Sequence, residues 1–126
     1  MAEIEIEQSA LIISETDRAG IITFANDYFI SYSGYDWEEL LGKPHSILRH
    51  EDMPKAAFAD LWKTVKEGTT WNGFVKNKAK NGDFYWVYAT VSPITFETGE
   101  TRYLSLRRKP TREEIKKYAA LYKEMK

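Results

Sequence analysis

Residues 71–94 read WNGFVKNKAKNGDFYWVYATVSPI, and the fold class can be predicted starting from their pattern. Asn81-Gly82 is a strong signal for a tight hairpin turn, and it separates two runs rich in aromatic and β-branched residues. The pattern predicts one strand over 71–78 and a second over 84–94, paired antiparallel. A third strand is predicted over 102–108, before a proline that stops it. This part of the chain therefore predicts three strands of an antiparallel sheet.

Two more strands are predicted near the N-terminus. Residues 10–16 and 21–25 are apolar and β-branched, and the turn sequence DRAG at 17–20 lies between them. Helical patterns fill the middle of the chain, where the longest predicted helix starts with Asp52 as its cap and ends at Gly68. Strands on both sides of a helical block predict an α+β domain, with a five-stranded antiparallel sheet and short helices on one face.

The chain is predicted to divide into three parts. Residues 1–9 form an N-terminal arm, and residues 10–109 form the domain itself. Residues 110–126 form a C-terminal amphipathic helix, because Pro110 stops the last strand and TREE at 111–114 is a capping box. We expect one small domain with a helix leading out of it.

The composition excludes several classes of protein. The 126 residues contain 4 Trp, 8 Tyr, 6 Phe and no Cys, with a formal net charge of -1. Without cysteine there is no disulfide framework, zinc ribbon, iron–sulfur cluster, catalytic thiol or cysteinyl–flavin adduct. The near-zero charge predicts no nucleic-acid partner, and no apolar run is long enough for membrane insertion. No nucleophile–base pair is visible, so we do not expect an enzyme. The chain has only two histidines, so we do not expect a three-His metal site.

One face of the strand over 71–78 could line a flat ligand. Trp71, Gly73, Val75 and Asn77 alternate along the strand and share a face. A planar ring needs such a wall, because Trp71 can stack, Gly73 leaves clearance and Asn77 offers a donor and an acceptor. The competing interpretation is a Trp packed under the helices and an Asn at a strand end. The residues alone favour that second interpretation.

A second candidate site is the cluster His45, Arg49, His50 and Asp52. Arginine can contact phosphate with two hydrogen bonds, and a helix N-terminus beside it offers free N–H groups. The cluster therefore suits a pyrophosphate. The alternative is that Asp52 only caps the helix and Arg49 pairs on the surface with Glu51 or Asp52. His50 has a further competing role as an axial haem ligand.

The order of elements and several motifs resemble PAS domains. The generic part is DxxGxI at 17–22, FxNxxF at 24–29 and SGY at 33–35. A more specific part follows, namely GKPHSILRHEDMPKAAFADLW at 42–62 and KEGTTWNGFVKNKAKNGDFYWV at 66–87. These stretches resemble the PAS domains of the bacterial aerotaxis receptor family over most of the chain.

The resemblance implies a PAS fold that binds FAD non-covalently and senses redox state or oxygen supply for aerotaxis. The positions that match the family's FAD-binding or otherwise important residues are His45, Arg49, His50, Asp52, Trp71, Asn77 and Asn26. One departure is Glu51, where the family usually has proline, and it adds a negative charge near the expected diphosphate. The alternatives are a PAS dimerisation module without cofactor and a haem-binding PAS oxygen sensor.

The resemblance also implies partners and a location. The receptor family carries a membrane anchor, a HAMP segment and a signalling coiled coil, none of which lies within these 126 residues. The implied partner is that signalling region of a chemotaxis receptor, in the same chain or a partner chain. A homodimer could form through the sheet face or the terminal segments. The implied location is the cytoplasm, with a tether to the inner membrane through the receptor regions outside this sequence.

Overall fold

Five antiparallel strands form one sheet, which confirms the predicted architecture. A computed structural model describes residues 1–125. The strands are β1 (Ile12–Thr16), β2 (Ile22–Ala25), β3 (Trp71–Lys78), β4 (Phe84–Thr95) and β5 (Thr101–Arg108). Their order across the sheet is β2-β1-β5-β4-β3, so β5 lies in the centre, and β2 and β3 are the edge strands. The first and last strands therefore pair, which joins the two halves of the chain.

Short helices connect β2 to β3, and a longer one follows β5. The helices are α1 (Asp27–Ser33), α2 (Trp37–Leu40), a 3₁₀ turn (His45–Leu48), α3 (Lys55–Lys66) and α4 (Arg112–Glu124). Asn26 fixes the start of α1, because its Oδ1 accepts hydrogen bonds from the N–H groups of Phe29 and Ile13, at 3.1 and 3.0 Å. Its Nδ2 donates to the Leu11 carbonyl at 2.8 Å. No helix within residues 1–125 is long and apolar enough to cross a membrane.

The prediction that Asp52 caps the long helix is wrong. Helix α3 begins at Lys55, and Pro54 stands at its N-cap position with no capping side chain. The Asp52 side chain instead bonds Lys76 of β3, with 2.7 Å between Oδ2 and Nζ. The predicted end is confirmed, since Gly68 has a φ of 89° just beyond the helix.

The ends of the chain cover the outer face of the sheet, the face opposite α3. The ring of Tyr122 in α4 stacks on Trp86 at 6.1 Å, and its hydroxyl donates to the Phe74 carbonyl at 2.7 Å. The N-terminal arm pairs with the start of β4, where the Ile4 N–H donates to the Phe84 carbonyl at 2.7 Å. Both faces of β4 carry buried apolar residues, and both are covered.

Candidate functional site

A cavity of about 370 Å³ lies between the inner face of the sheet and α3. Val75, Ala89 and Val91 line it from the sheet, and Phe58 and Trp62 line it from the helix. The volume lies within the range of small-molecule sites, roughly 300–1,000 Å³. An apolar sheet on one side and aromatic rings on the other suit a flat, largely apolar ring system.

Arg107 of β5 brings a buried positive charge to the cavity wall. The residue is only 4% exposed, and its Nη2 donates to Ser14 Oγ at 2.9 Å and to His45 Nε2 at 2.7 Å. Its Nη1 is buried and has no hydrogen-bond partner, and no carboxylate within residues 1–125 forms an ion pair with it. Burial lowers the pKa of Arg107 to about 10, and the group stays charged at neutral pH. A guanidinium in this state is short of an acceptor.

His45 sits beside Arg107 as a neutral imidazole. Burial, followed by the charge of Arg107, lowers the pKa of His45 to about 3. Arginine can only donate, so Nε2 of His45 must accept, and the ring proton lies on Nδ1. His45 lines the cavity and is only partly buried. His45 therefore orients Arg107 and carries no charge of its own.

Other polar atoms near the cavity also lack partners. Thr16 Oγ1 and Ser105 Oγ are buried without a hydrogen bond. Thr16 and Ser105 line the cavity. Asn77 lines it too, and its backbone lies opposite that of Tyr85 in the β3–β4 strand pair. Buried polar groups are normally satisfied, so this concentration of unpaired donors and acceptors is typical of a ligand site.

The lining of the cavity is positively charged. Its charged residues are all cations, namely Arg18, Arg49, Lys66 and Arg107. No ion pair in the part of the chain that the structure describes involves any of the four. The whole chain has a net charge of -1, so its acidic side chains are kept away from this space. The arrangement suits an anionic ligand.

Three of the seven predicted site residues line the cavity, namely His45, Arg49 and Asn77. The Arg49 guanidinium lies over the Phe58 ring, with Cζ 3.9 Å from the ring centroid. The backbone of Arg49 pairs with that of Asn77 through an isolated bridge. Asn26 lies elsewhere, at the start of α1, where it ties that helix to β1.

His50 and Asp52 lie on the far side of β3 and do not line the cavity. Asp52 bonds Lys76, and the ring of His50 meets that of Phe84 edge-on, with 6.0 Å between centroids. The predicted cluster is therefore divided, because Arg49 points to the cavity and its neighbours to the outer face. This position also counts against His50 as an axial haem ligand in the cavity.

Trp71 does not line the cavity either, because its ring covers Gly73. A Cβ atom at position 73 would lie 2.4 Å from the Trp71 ring. The indole Nε1 donates to Asp60 Oδ2 of α3 at 3.0 Å, which holds the ring in this place. The clearance expected at Gly73 is thus filled by Trp71, while Val75 and Asn77 of the predicted wall do line the cavity.

Several residues of the site were not predicted from the sequence. Arg107 is the most prominent of them. Tyr103, Ser105 and Arg107 alternate along β5, so they share its inner face. An arginine at an inward position of a central strand is a signal that could have found it. Trp62 of α3 also lines the cavity. Residues 1–125 contain no cluster of three metal-ligating side chains.

Comparisons with known proteins agree with this architecture. The family model described as PAS fold matches residues 22–106. The chain is 51% identical over 112 residues to the aerotaxis receptor of Escherichia coli (strain K12), which covers 89% of this chain and 22% of that protein. It is 31% identical over 104 residues to the nitrogen fixation regulatory protein of Klebsiella pneumoniae, with 82% and 21% covered. The chain thus spans about a fifth of the length of these relatives.

Solved structures show the same fold at low sequence identity. The light-state structure of the blue-light photoreceptor Aureochrome1 LOV superposes with a TM-score of 0.74 at 19% identity, covering 88% of this chain and 87% of that one. A light-oxygen-voltage domain studied with a flavin analogue gives a TM-score of 0.76 at 19% identity, with 87% and 84% covered. At this identity the likeness concerns the fold alone.

Proposed function

This chain belongs to the PAS-fold family, and we propose that it binds FAD non-covalently and senses redox state or oxygen supply for aerotaxis. The identity of 51% to the aerotaxis receptor of Escherichia coli supports this choice within the family. The partner would be the signalling region of such a receptor, in the same chain or another. The domain could also form a homodimer. We propose a sensor rather than an enzyme, in the cytoplasm and tethered through receptor regions outside this sequence.

The observation that carries the proposal is the cavity with its unpaired donors and its excess of cations. A flavin combines a flat apolar ring, a pyrimidine edge rich in acceptors and an anionic tail. The slot between Val75 and Phe58 suits the ring, Nη1 of Arg107 suits an acceptor on its edge, and the other cations suit the tail. The bound flavin would supply reversible electron transfer.

The residues of this chain would read the state of the ligand through hydrogen bonds. Arg107 of β5 and Asn77 of β3 line the cavity, and α4 packs on the opposite face of the same sheet. A ligand shifts a conformational equilibrium only by its differential interaction with the two states. A change in the hydrogen bonds that Arg107 and Asn77 make would supply that difference, and α4 would carry it to the partner.

The test is the absorption spectrum of the purified protein, before and after incubation with FAD. We expect flavin bands and the release of FAD on heating. Arg107→Met should weaken FAD binding about tenfold or more, because it removes the buried donor. The matched control is Arg108→Met, since the Arg108 guanidinium lies outside the cavity over the Tyr88 ring, and FAD binding should stay unchanged.

Two outcomes would contradict the proposal. A colourless protein that FAD cannot reconstitute would favour the cofactor-free dimerisation module. A Soret band would favour the haem-binding oxygen sensor.

A further inference from the structure

Two of the cations in the cavity lining belong to elements that both contact Trp62. Arg18 belongs to the β1–β2 turn, and Lys66 is the last residue of α3. Trp62 lies between the two elements, because a Cβ at Gly20, in the same turn as Arg18, would lie 3.1 Å from its ring, and Lys66 Nζ lies 5.8 Å from the ring centroid. We call Arg18, Trp62 and Lys66 the turn–helix corner.

The turn–helix corner is separate from Arg49. Arg49 lies over Phe58, and Lys66 follows Phe58 by eight residues in α3. At 1.5 Å per residue this is about 12 Å along the helix axis. A single phosphate is much shorter than this path. The cations are therefore spread in a way that suits an elongated ligand with charge away from its ring.

Neither cation of the turn–helix corner is neutralised. Arg18 and Lys66 are exposed, and the ion pairs among residues 1–125 include neither. The cavity lining around them holds no acid. The carbonyl end of α3 attracts the Lys66 ammonium, which helps to keep it near the corner without cancelling its charge. Two free cations beside an aromatic ring form a site for phosphate oxygens.

We propose that the turn–helix corner binds the phosphate groups of the dinucleotide, an inference that rests on the proposed FAD binding. The ring lies in the slot beside Arg107, and the tail runs along α3 towards Arg18 and Lys66. Arginine can contact a phosphate with two parallel hydrogen bonds, and lysine adds a point charge. This assignment differs from the predicted pyrophosphate cluster, because His50 and Asp52 face the other side of β3.

The test compares FAD with riboflavin, which has the same ring but no phosphate. The double variant Arg18→Gln, Lys66→Gln is titrated with both ligands, and flavin fluorescence gives the dissociation constants. We expect FAD binding to weaken about tenfold or more and riboflavin binding to change less than about twofold. Raising salt from about 0.1 to 0.5 M should weaken FAD binding to the wild type more than to the variant.

The matched control is Lys63→Gln, since Lys63 lies in the same last turn of α3 but does not line the cavity. Its FAD binding should equal that of the wild type. If the double variant keeps the wild-type preference for FAD over riboflavin, the assignment of the turn–helix corner as the phosphate site is wrong, while the proposed function stands. If the wild type binds neither flavin, the proposed function itself fails, and this inference falls with it.

Discussion

Arg107 places a positive charge inside the protein where no carboxylate offsets it. Removing an ion from water is costly, and a hydroxyl and a neutral imidazole return only part of that cost. The two partners, Ser14 and His45, satisfy Nη2 and leave Nη1 without an acceptor. The folded protein therefore keeps an unpaired hydrogen-bond donor at the cavity, and a ligand can supply its acceptor.

His45 should make the stability of the ligand-free protein depend on pH. Its pKa is about 3 when folded, against 6.5 for an ordinary histidine, so the unfolded chain binds more protons between these values. The free energy of unfolding should fall as the pH decreases from about 6.5 towards 3, by up to about 1.4 kcal/mol per pH unit. Urea unfolding of the wild type and of His45→Gln at several pH values measures this.

The comparison with His45→Gln isolates the histidine, because the carboxylates titrate equally in both proteins. Glutamine can still accept from Arg107 through its amide oxygen, so the hydrogen bond has a substitute. We expect the difference between the two proteins to shrink as the pH falls. Parallel curves from pH 7 to 4 would contradict the assignment of His45 as a buried neutral ring.

Among the elements, the segment before α3 covers the free edge of β3. Arg49 pairs with Asn77 through its backbone, the Lys76 N–H donates to Met53 Sδ at 3.3 Å, and Asp52 bonds the Lys76 side chain. These contacts hold the segment in place, and Arg49 is the part of it that reaches the cavity. Asp52 can thus influence ligand binding without contacting the ligand.

Lys76→Met should loosen this segment and weaken FAD binding by about threefold to tenfold. The Lys76 side chain is 14% exposed and bonds Asp52 at 2.7 Å, so methionine keeps the volume and removes the bond. Titration with FAD gives the affinity, and hydrogen exchange of the amides of residues 49–53 reports the loosening directly.

The control is Lys78→Met, because Lys78 is 41% exposed and bonds Glu51 at a longer 3.2 Å. This variant should bind FAD like the wild type, since exposed ion pairs contribute little. The exchange of charges in Asp52→Lys, Lys76→Asp should restore part of the affinity. Equal effects of Lys76→Met and Lys78→Met would show that the Asp52 bond does not position Arg49.

The strands could be predicted from the sequence within a few residues, and the partners of polar side chains could not. β3 was predicted with its observed limits because its start follows a helix end and its finish precedes the Asn81-Gly82 turn. From the sequence, Asp52 suits a helix cap and an ion pair with a residue distant in sequence equally well. Only the tertiary fold brings Lys76 within reach. The same holds for Trp71, whose ring direction depends on Asp60 in another element.

For the whole molecule, we expect the C-terminal helix to prevent self-association through the part of the outer sheet face that it covers. Truncation after Lys109 removes α4 and exposes Phe74 and Trp86 on the outer face. An exposed apolar sheet face favours association, so the truncated chain should have a larger mass in solution than the full chain. Light scattering during size-exclusion chromatography measures both.

The matched variant is Tyr122→Phe, which keeps the helix and loses the 2.7 Å hydrogen bond to the Phe74 carbonyl. It should lower the free energy of unfolding by about 1 kcal/mol and leave the mass unchanged. A truncated chain with the same association state as the full chain would contradict the protective role of α4. The predicted boundary between residues 109 and 110 would then have no structural consequence.

The N-terminal arm pairs along β4 and α4 packs on the outer face of the sheet, whereas the cavity lies on the other face. Segments fused before the arm or after α4 therefore need not obstruct access to the ligand. The cavity and the points of attachment to other segments are therefore separated by the sheet. The cavity face can be kept while the attached segments are exchanged. A protein engineer could join this domain to unrelated output modules by altering only the residues that the outer face presents.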